Sequence, residues 1–230
     1  MSIMFTIPPT ARRALERMAA DVARVFGGRL VAVVATSPAS SVIFANDLAP
    51  GDLVALEPLV ETWHREGLDT PLLISPEEFR RSLDAFPVEY QAMIDRHVVM
   101  SGRPPFEGAL VPRSDLRRAC EVQAKGHLIH LRQGWLEGGA DADARAALIA
   151  RSAAPLRAIL TTVARLHDAA SGADAAMTGA RLAGLPERLV HDVLALEQAA
   201  DDEARVDDLP AYLAACERLW AFVDEWRAAS

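Results

Sequence analysis

Lysine is almost missing from this chain: Lys125 is the sole one among 24 basic residues, the others being arginine. Cysteine is nearly as scarce. Cys120 and Cys216 lie far apart, with no CxxC pair and no Cys/His zinc spacing, so neither a disulfide framework nor a structural zinc is implied and both read as buried thiols. No apolar run approaches the roughly 20 residues of a membrane span. Met1 to Pro9 lack the basic start and small-residue cleavage site of a secretory signal, which makes the cytoplasm the expected location. Neither GxGxxG nor GxxxxGK[ST] occurs, and Gly27-Gly28 precedes an apolar run instead of following one, so no dinucleotide or P-loop turn is present. A GxSxG elbow and an HExxH pair are absent as well, which leaves hydrolase and zinc-peptidase chemistry without a motif.

Positive charge is in deficit too: 24 basic against 32 acidic residues give a net charge of −8. That balance disfavours nucleic acid and anionic membranes as partners and leaves only a local basic groove as a route to either. What the chain does have is core material, with 51% hydrophobic residues. A chain of this length and composition buries a real core.

The apolar pattern divides the chain near residues 108–115, with an α/β part over 1–112 and a helical part over 113–230. Leu15, Met18, Ala19, Val22, Val25 and Phe26 recur at helical spacing behind Thr10, a candidate N-cap, and Gly27-Gly28 ends the helix. Residues 29–35 and 41–45 are short β-branched runs joined by a brief turn, which predicts two buried strands forming a hairpin. Asp52 can cap a second helix reaching Gly67, residues 71–75 predict a third strand, and Ser75-Pro76-Glu77-Glu78 opens a short helix. Residues 86–93 and 97–100 predict further extended segments. Beyond Pro112, residues 116–136, 142–170, 179–200 and 207–228 carry 3.6-residue periodicity and predict an up-and-down unit of four helices. The fold class is therefore α+β, a small mixed sheet with helices followed by a helical bundle.

Three groups of side chains are candidates for chemistry. His127 and His130, three residues apart on one helix with Cys120 and Glu121 a turn or two away, form a conceivable divalent-metal set; the alternative is that they are ordinary core and surface residues. Arg113, Arg117, Arg118, Lys125 and Arg132 concentrate positive charge along that same helix and suit a phosphate-bearing ligand, or else form a solvated face paired with Asp115 and Glu121. Asp84 and Glu89 flank Phe86-Pro87 at the entry to an expected strand, where a carboxylate could serve Mg²⁺ chemistry if two more joined it. The apolar stripes with Leu156, Ile159, Leu160, Val163 and Leu166, and with Leu213, Leu219, Trp220 and Phe222, serve either the bundle core or a protein partner or homodimer surface.

Three strings taken together, Pro71 to Glu78, Ser82 to Tyr90, and Asp115-Leu116-Arg117-Arg118 through Leu131-Arg132-Gln133, resemble a bacterial nucleotidyltransferase-like family of the polymerase-beta superfamily. The resemblance covers roughly residues 10–137. It implies a mixed sheet with a Gly-Ser hairpin, an Asp-x-Asp/Glu pair on the next strand and a third carboxylate on a later one, together holding Mg²⁺ and a nucleoside triphosphate ahead of a helical bundle. Thr36-Ser37 stand where the family has Gly-Ser, and Ala39, Ser40 and Ser41 where it has its acidic pair. Glu89 corresponds to the third carboxylate, with Asp84 as the alternative, and Asp47 follows the second strand instead of preceding it. On this resemblance Thr36, Ser37, Arg117, Arg118, Lys125 and Arg132 are the expected nucleotide contacts, and Glu89 is the expected Mg²⁺ ligand. The expected function is that of a module that has lost metal-dependent catalysis and binds a nucleotide or phosphate-bearing ligand or regulates a partner. An active Mg²⁺-dependent nucleotidyltransferase with an atypical carboxylate set and a helical interaction or dimerisation module are the alternatives.

Overall fold

The computed structural model describes residues 5–169, 174–197 and 208–226. The chain divides into two compact units, residues 1–111 and 112–230, and the class is α+β.

In the first unit, helix α1 (Pro9–Phe26) buries Ala14, Leu15, Met18, Ala19, Val22 and Phe26 along one stripe. It starts two residues earlier than an N-cap at Thr10 would dictate, with Pro8 as the N-cap, because Pro9 fills the first helical position, where a missing N–H and a fixed φ are tolerated. A single 3₁₀ turn leads into β1 (Leu30–Ala35), and β2 (Ser41–Ala45) returns antiparallel to it. Helix α2 (Pro50–Arg65), strand β3 (Leu72–Ile74), helices α3 (Pro76–Arg81) and α4 (Pro87–Asp95), and strand β4 (Val98–Gly102) complete the unit. The sheet order is β3-β2-β1-β4, with β4 antiparallel to β1 and β3 parallel to β2.

The uninterrupted apolar runs of the two central strands follow from burial on both faces. Val33, Ala35, Ile43 and Ala45 join the core beneath α1 and α2 with Leu15, Met18 and Trp63. Their alternating neighbours Ala32, Val34, Val42 and Phe44 pack with Phe79, Tyr90 and Met93 on the opposite face. Phe44 and Phe79 meet edge to face at 5.6 Å, and Tyr90 meets Phe79 at 4.9 Å.

Two expectations are corrected here. Residues 87–95 form a helix and not an extended segment: Pro87 takes the first helical position and Glu89 lies in the first turn, where its charge complements the exposed amide end. Asp52 is not an N-cap. Helix α2 starts at Pro50, and the Asp52 carboxylate reaches back to accept from the Ala49 N–H at 2.9 Å.

Asp52 also pairs with Arg29 through two parallel hydrogen bonds of 2.6 and 2.9 Å, and Arg29 donates to the Asp47 carbonyl at 2.9 Å. This clamp ties the start of β1 to the start of α2. The Arg29 guanidinium, followed by the Ala49 amide, holds the Asp52 carboxyl down at about 2. The folded carboxyl thus stays ionised where an unfolded aspartate would already be protonated. Its contribution to stability is whole above about pH 4, the ordinary carboxyl range, and is lost as pH falls toward about 2. In Arg29→Gln the Asp52 carboxyl should titrate closer to its ordinary value, as read by carboxyl ¹³C NMR. An unchanged titration would mean that the clamp is not formed in solution.

The second unit holds helices α5 (Arg113–Gly138), α6 (Ala142–Leu166), α7 (Ala175–Leu182), α8 (Glu187–Ala195) and α9 (Leu209–Glu225). The third of the four expected helices is really two. Gly184, at φ 62°, and Pro186, which precedes α8, end one helix and begin the next, while α7 starts four residues before position 179. The expected ends at 198–200, 207 and 227–228 lie outside the described residues. Among the described helices α6 alone is long and apolar enough to cross a membrane by length and composition. Within the unit, however, α6 packs against α5, α7, α8 and α9. Of the two apolar stripes, Leu156, Ile159, Leu160, Val163, Leu166, Leu213 and Leu219 are buried, and Trp220 and Phe222 are half-buried.

Candidate functional site

The β1–β2 turn is closed from inside. Both Thr36 and Ser37 N–H groups donate to the Ser40 carbonyl, at 2.9 and 3.3 Å. The Ser37 hydroxyl accepts from the Ala39 and Ser40 amides at 3.1 and 2.9 Å, and the Thr36 hydroxyl donates to the Ser40 carbonyl at 3.3 Å. Among the described residues one carboxylate bonds this turn, and the sequence reading missed it: Asp69, ahead of β3, accepts from the Ser40 hydroxyl at 2.6 Å, and its own N–H donates to the Ala39 carbonyl. Asp84 is exposed in the turn between α3 and α4, and Glu89 is exposed on α4. Neither sits on a strand, so the expected strand-borne carboxylate is not formed. Among the described residues no three His, Cys, Asp or Glu side chains converge to hold a metal.

The basic residues of α5 have partners within the helical unit. Arg117 pairs with Glu121 at 2.9 Å and donates to the Asp224 carbonyl at 3.2 Å. Lys125 places its ammonium 3.5 Å from the centre of the Trp220 ring. Arg132 pairs with Glu217 at 2.6 Å, Arg113 with Asp168 at 2.8 Å, and Arg118 approaches Asp115 at 3.7 Å. Arg117, Lys125 and Arg132 thus run along α9 as a seam. Arg113, Arg118 and Arg132 are nevertheless exposed, and Arg118 has only the loose partner Asp115, so part of the basic group faces solvent.

The histidine and cysteine candidates separate in the same way. Cys120 is buried and directs its thiol toward the Ile159 carbonyl, with burial raising its pKa to about 12. Glu121 is held by Arg117, and His130 is exposed. His127 is buried and bonds Tyr212. Burial, with a smaller contribution from nearby His130, lowers its pKa to about 4, so the ring is neutral at pH 7.

His127 belongs to a chain of hydrogen bonds whose direction the chemistry determines. The Ser152 hydroxyl donates its only proton to the Ile149 carbonyl at 2.6 Å. It must then accept from the Tyr212 hydroxyl, 2.8 Å away. With that proton used, the Tyr212 oxygen accepts from His127 Nε2–H at 2.9 Å. This direction puts the ring proton on Nε2, and Cys216 is a further hydrogen-bond neighbour of the Tyr212 hydroxyl. His127 and Ser152 line a cavity of about 500 Å³ between α5 and α6, together with Gly126, Leu148, Pro155 and Ile159. Ser152 and Tyr212 carried no signal in the sequence, because they meet His127 from 25 and 85 positions away.

Among known proteins, no family model matches this chain and no curated protein sequence matches it.

Proposed function

We propose that this protein is a nucleotidyltransferase-like module without metal-dependent transfer chemistry, which binds a nucleotide or other phosphate-bearing ligand or regulates a partner. The observation that carries the reading is the β1–β2 turn. Where the resembling family has two acids, this chain has Ala39, Ser40 and Ser41, its Thr36 and Ser37 hydroxyls bond within the turn, and among the described residues Asp69 is the single carboxylate bonded there. Mg²⁺ chemistry on a triphosphate needs several hard oxygen ligands in rigid positions. The order of elements over residues 10–100, with a hairpin at the centre of a small mixed sheet, agrees with the plan that the resemblance implies.

Calorimetric titration with ATP and GTP, with and without Mg²⁺, and an assay for incorporation of labelled nucleotide test this. The expected result is binding insensitive to Mg²⁺ and to Glu89→Ala, with no label transferred to protein, RNA or small-molecule acceptors. Tight Mg²⁺-dependent binding that disappears in Glu89→Ala, accompanied by label transfer, would establish a working nucleotidyltransferase instead.

A further inference from the structure

Helix α5 buries Leu116, Cys120, Ala124, His127, Leu128 and Leu131 within its own unit, and a helix that packs only along that stripe should be polar on its other side. It is not. Val122, Ile129 and Leu136 follow one another seven residues apart and are 67%, 41% and 83% exposed. Ala119, Gly126 and Gln133 alternate with them at four- and three-residue spacing. Together the six residues form a heptad stripe, with the small and polar residues at a and the large apolar ones at d. At Gly126 nothing lies within 4 Å of where a Cβ would stand, so a second helix can approach the bare backbone closely.

The charges beside the stripe identify the occupant. Arg118, Lys125 and Arg132 take the g positions on one flank, and Gln123, His130 and Glu137 take the e positions on the other. In two parallel copies each g residue faces the e residue five positions further on in the second chain, so Arg132 meets Glu137 of the second copy, twice by symmetry. Both residues are exposed. Arg132 also holds Glu217, and a guanidinium with five N–H donors can serve two carboxylates. Arg118 then meets Gln123, and Lys125 meets His130, without a clash of like carboxylates. Antiparallel copies would instead set Lys125 against Arg132, cation against cation, at both ends. Gln133 meets its own counterpart across the twofold axis as the polar a layer, a device that fixes register.

We infer that a second copy of this chain covers the α5 stripe, in a parallel two-helix contact that stacks Val122, Ile129 and Leu136 on their counterparts. Three apolar layers make a contact at the small end of specific interfaces, so the dimer dissociates on dilution. Its formation does not depend on whether the hairpin of the sheet unit binds a nucleotide.

Sedimentation equilibrium of the full chain from about 2 to about 200 µM, the range in which so small a contact comes apart, should show the molar mass rising from monomer to dimer. Ile129→Glu puts two carboxylates into the central layer and should weaken association at least about tenfold with its helical circular dichroism retained. Leu136→Glu, at the most exposed of the three positions, gives the same readout should the first variant not fold. Glu137→Arg should weaken the dimer about threefold or more, and adding Arg132→Glu, which exchanges the charges, should restore it. Cross-linking under mild oxidation reads the orientation, since Cys120 and Cys216 are buried. Gln133→Cys is expected to join its counterpart, which it faces only in the parallel register. A monomer at every concentration, association unaffected by a folded Ile129→Glu or Leu136→Glu, no recovery on exchanging the charges, or failure of Gln133→Cys to cross-link would each overturn the assignment.

Discussion

Replacing Gly179 by valine is expected to destabilise the helical unit by about 3 kcal/mol or more, at the upper end of overpacking substitutions. A Cβ at this position would lie 2.0 Å from the Leu160 carbonyl oxygen and 2.7 Å from its carbon. The obstacle is the backbone of α6, which cannot rotate away as a side chain can, so α7 must separate from α6 and forfeit the packing around Ala176, Ala180 and Leu160. Gly134→Ala is the matched control. There the obstacle is the flexible end of Leu148, and the gain in helix propensity, about 1 kcal/mol, offsets part of the clash, so the net change should stay within about 1 kcal/mol. Thermal and urea unfolding of the full chain measure both. For a chain of this size each kcal/mol moves the melting temperature by about 2–4 °C, and Gly179→Val should therefore fall well below both wild type and Gly134→Ala. Equal stability of the two variants would contradict the close approach of α6 and α7.

The second large effect is a loss of stability on mild acidification, governed by His127. Burial lowers its folded pKa to about 4, whereas an unfolded histidine titrates near 6.5. Between these values the unfolded chain binds the proton and the folded chain does not. Stability is therefore full above about pH 6.5, falls as pH drops toward 4, and is level in this respect below that. A displacement of this size corresponds to a loss on the order of 3 kcal/mol across the window. Urea midpoints at a series of pH values should show this slope in wild type and a much weaker one in His127→Gln, whose amide can still donate to Tyr212. The Asp52 effect lies at lower pH, below the ordinary carboxyl range, and does not overlap. A wild-type midpoint that stays level from pH 6.5 to 4.5 would show that His127 is not buried as described.

Where each residue's environment is local, the sequence was sufficient. The runs at 29–35 and 41–45 read as strands because a strand covered on both faces needs an unbroken apolar sequence, and the structure places them as β1 and β2. The stripe on α1 was legible for the same kind of reason. Residues 87–95 were not. Val88, Glu89, Tyr90 and Gln91 alternate as a strand would, and the helix is selected by the seating of Val88, Tyr90 and Met93 in the core and by Tyr90 against Phe79, contacts that no local pattern encodes. At 179–200 the breaking signal, Gly184 followed by Pro186, was present and outweighed by the periodicity around it.

Composition, periodicity and the missing motifs by themselves determined the α+β class, the position of the sheet ahead of the helices, and the lack of an acidic pair at the hairpin, because each depends on the order of residue types along the chain. Tertiary structure alone decided that Arg117, Lys125 and Arg132 of α5 lie along α9, that Asp69 reaches Ser40, and that His127, Ser152 and Tyr212 share one chain of hydrogen bonds. Hydrogen bonds and cavities form between groups close in space, and spacing along the chain carries no record of which distant segments will meet.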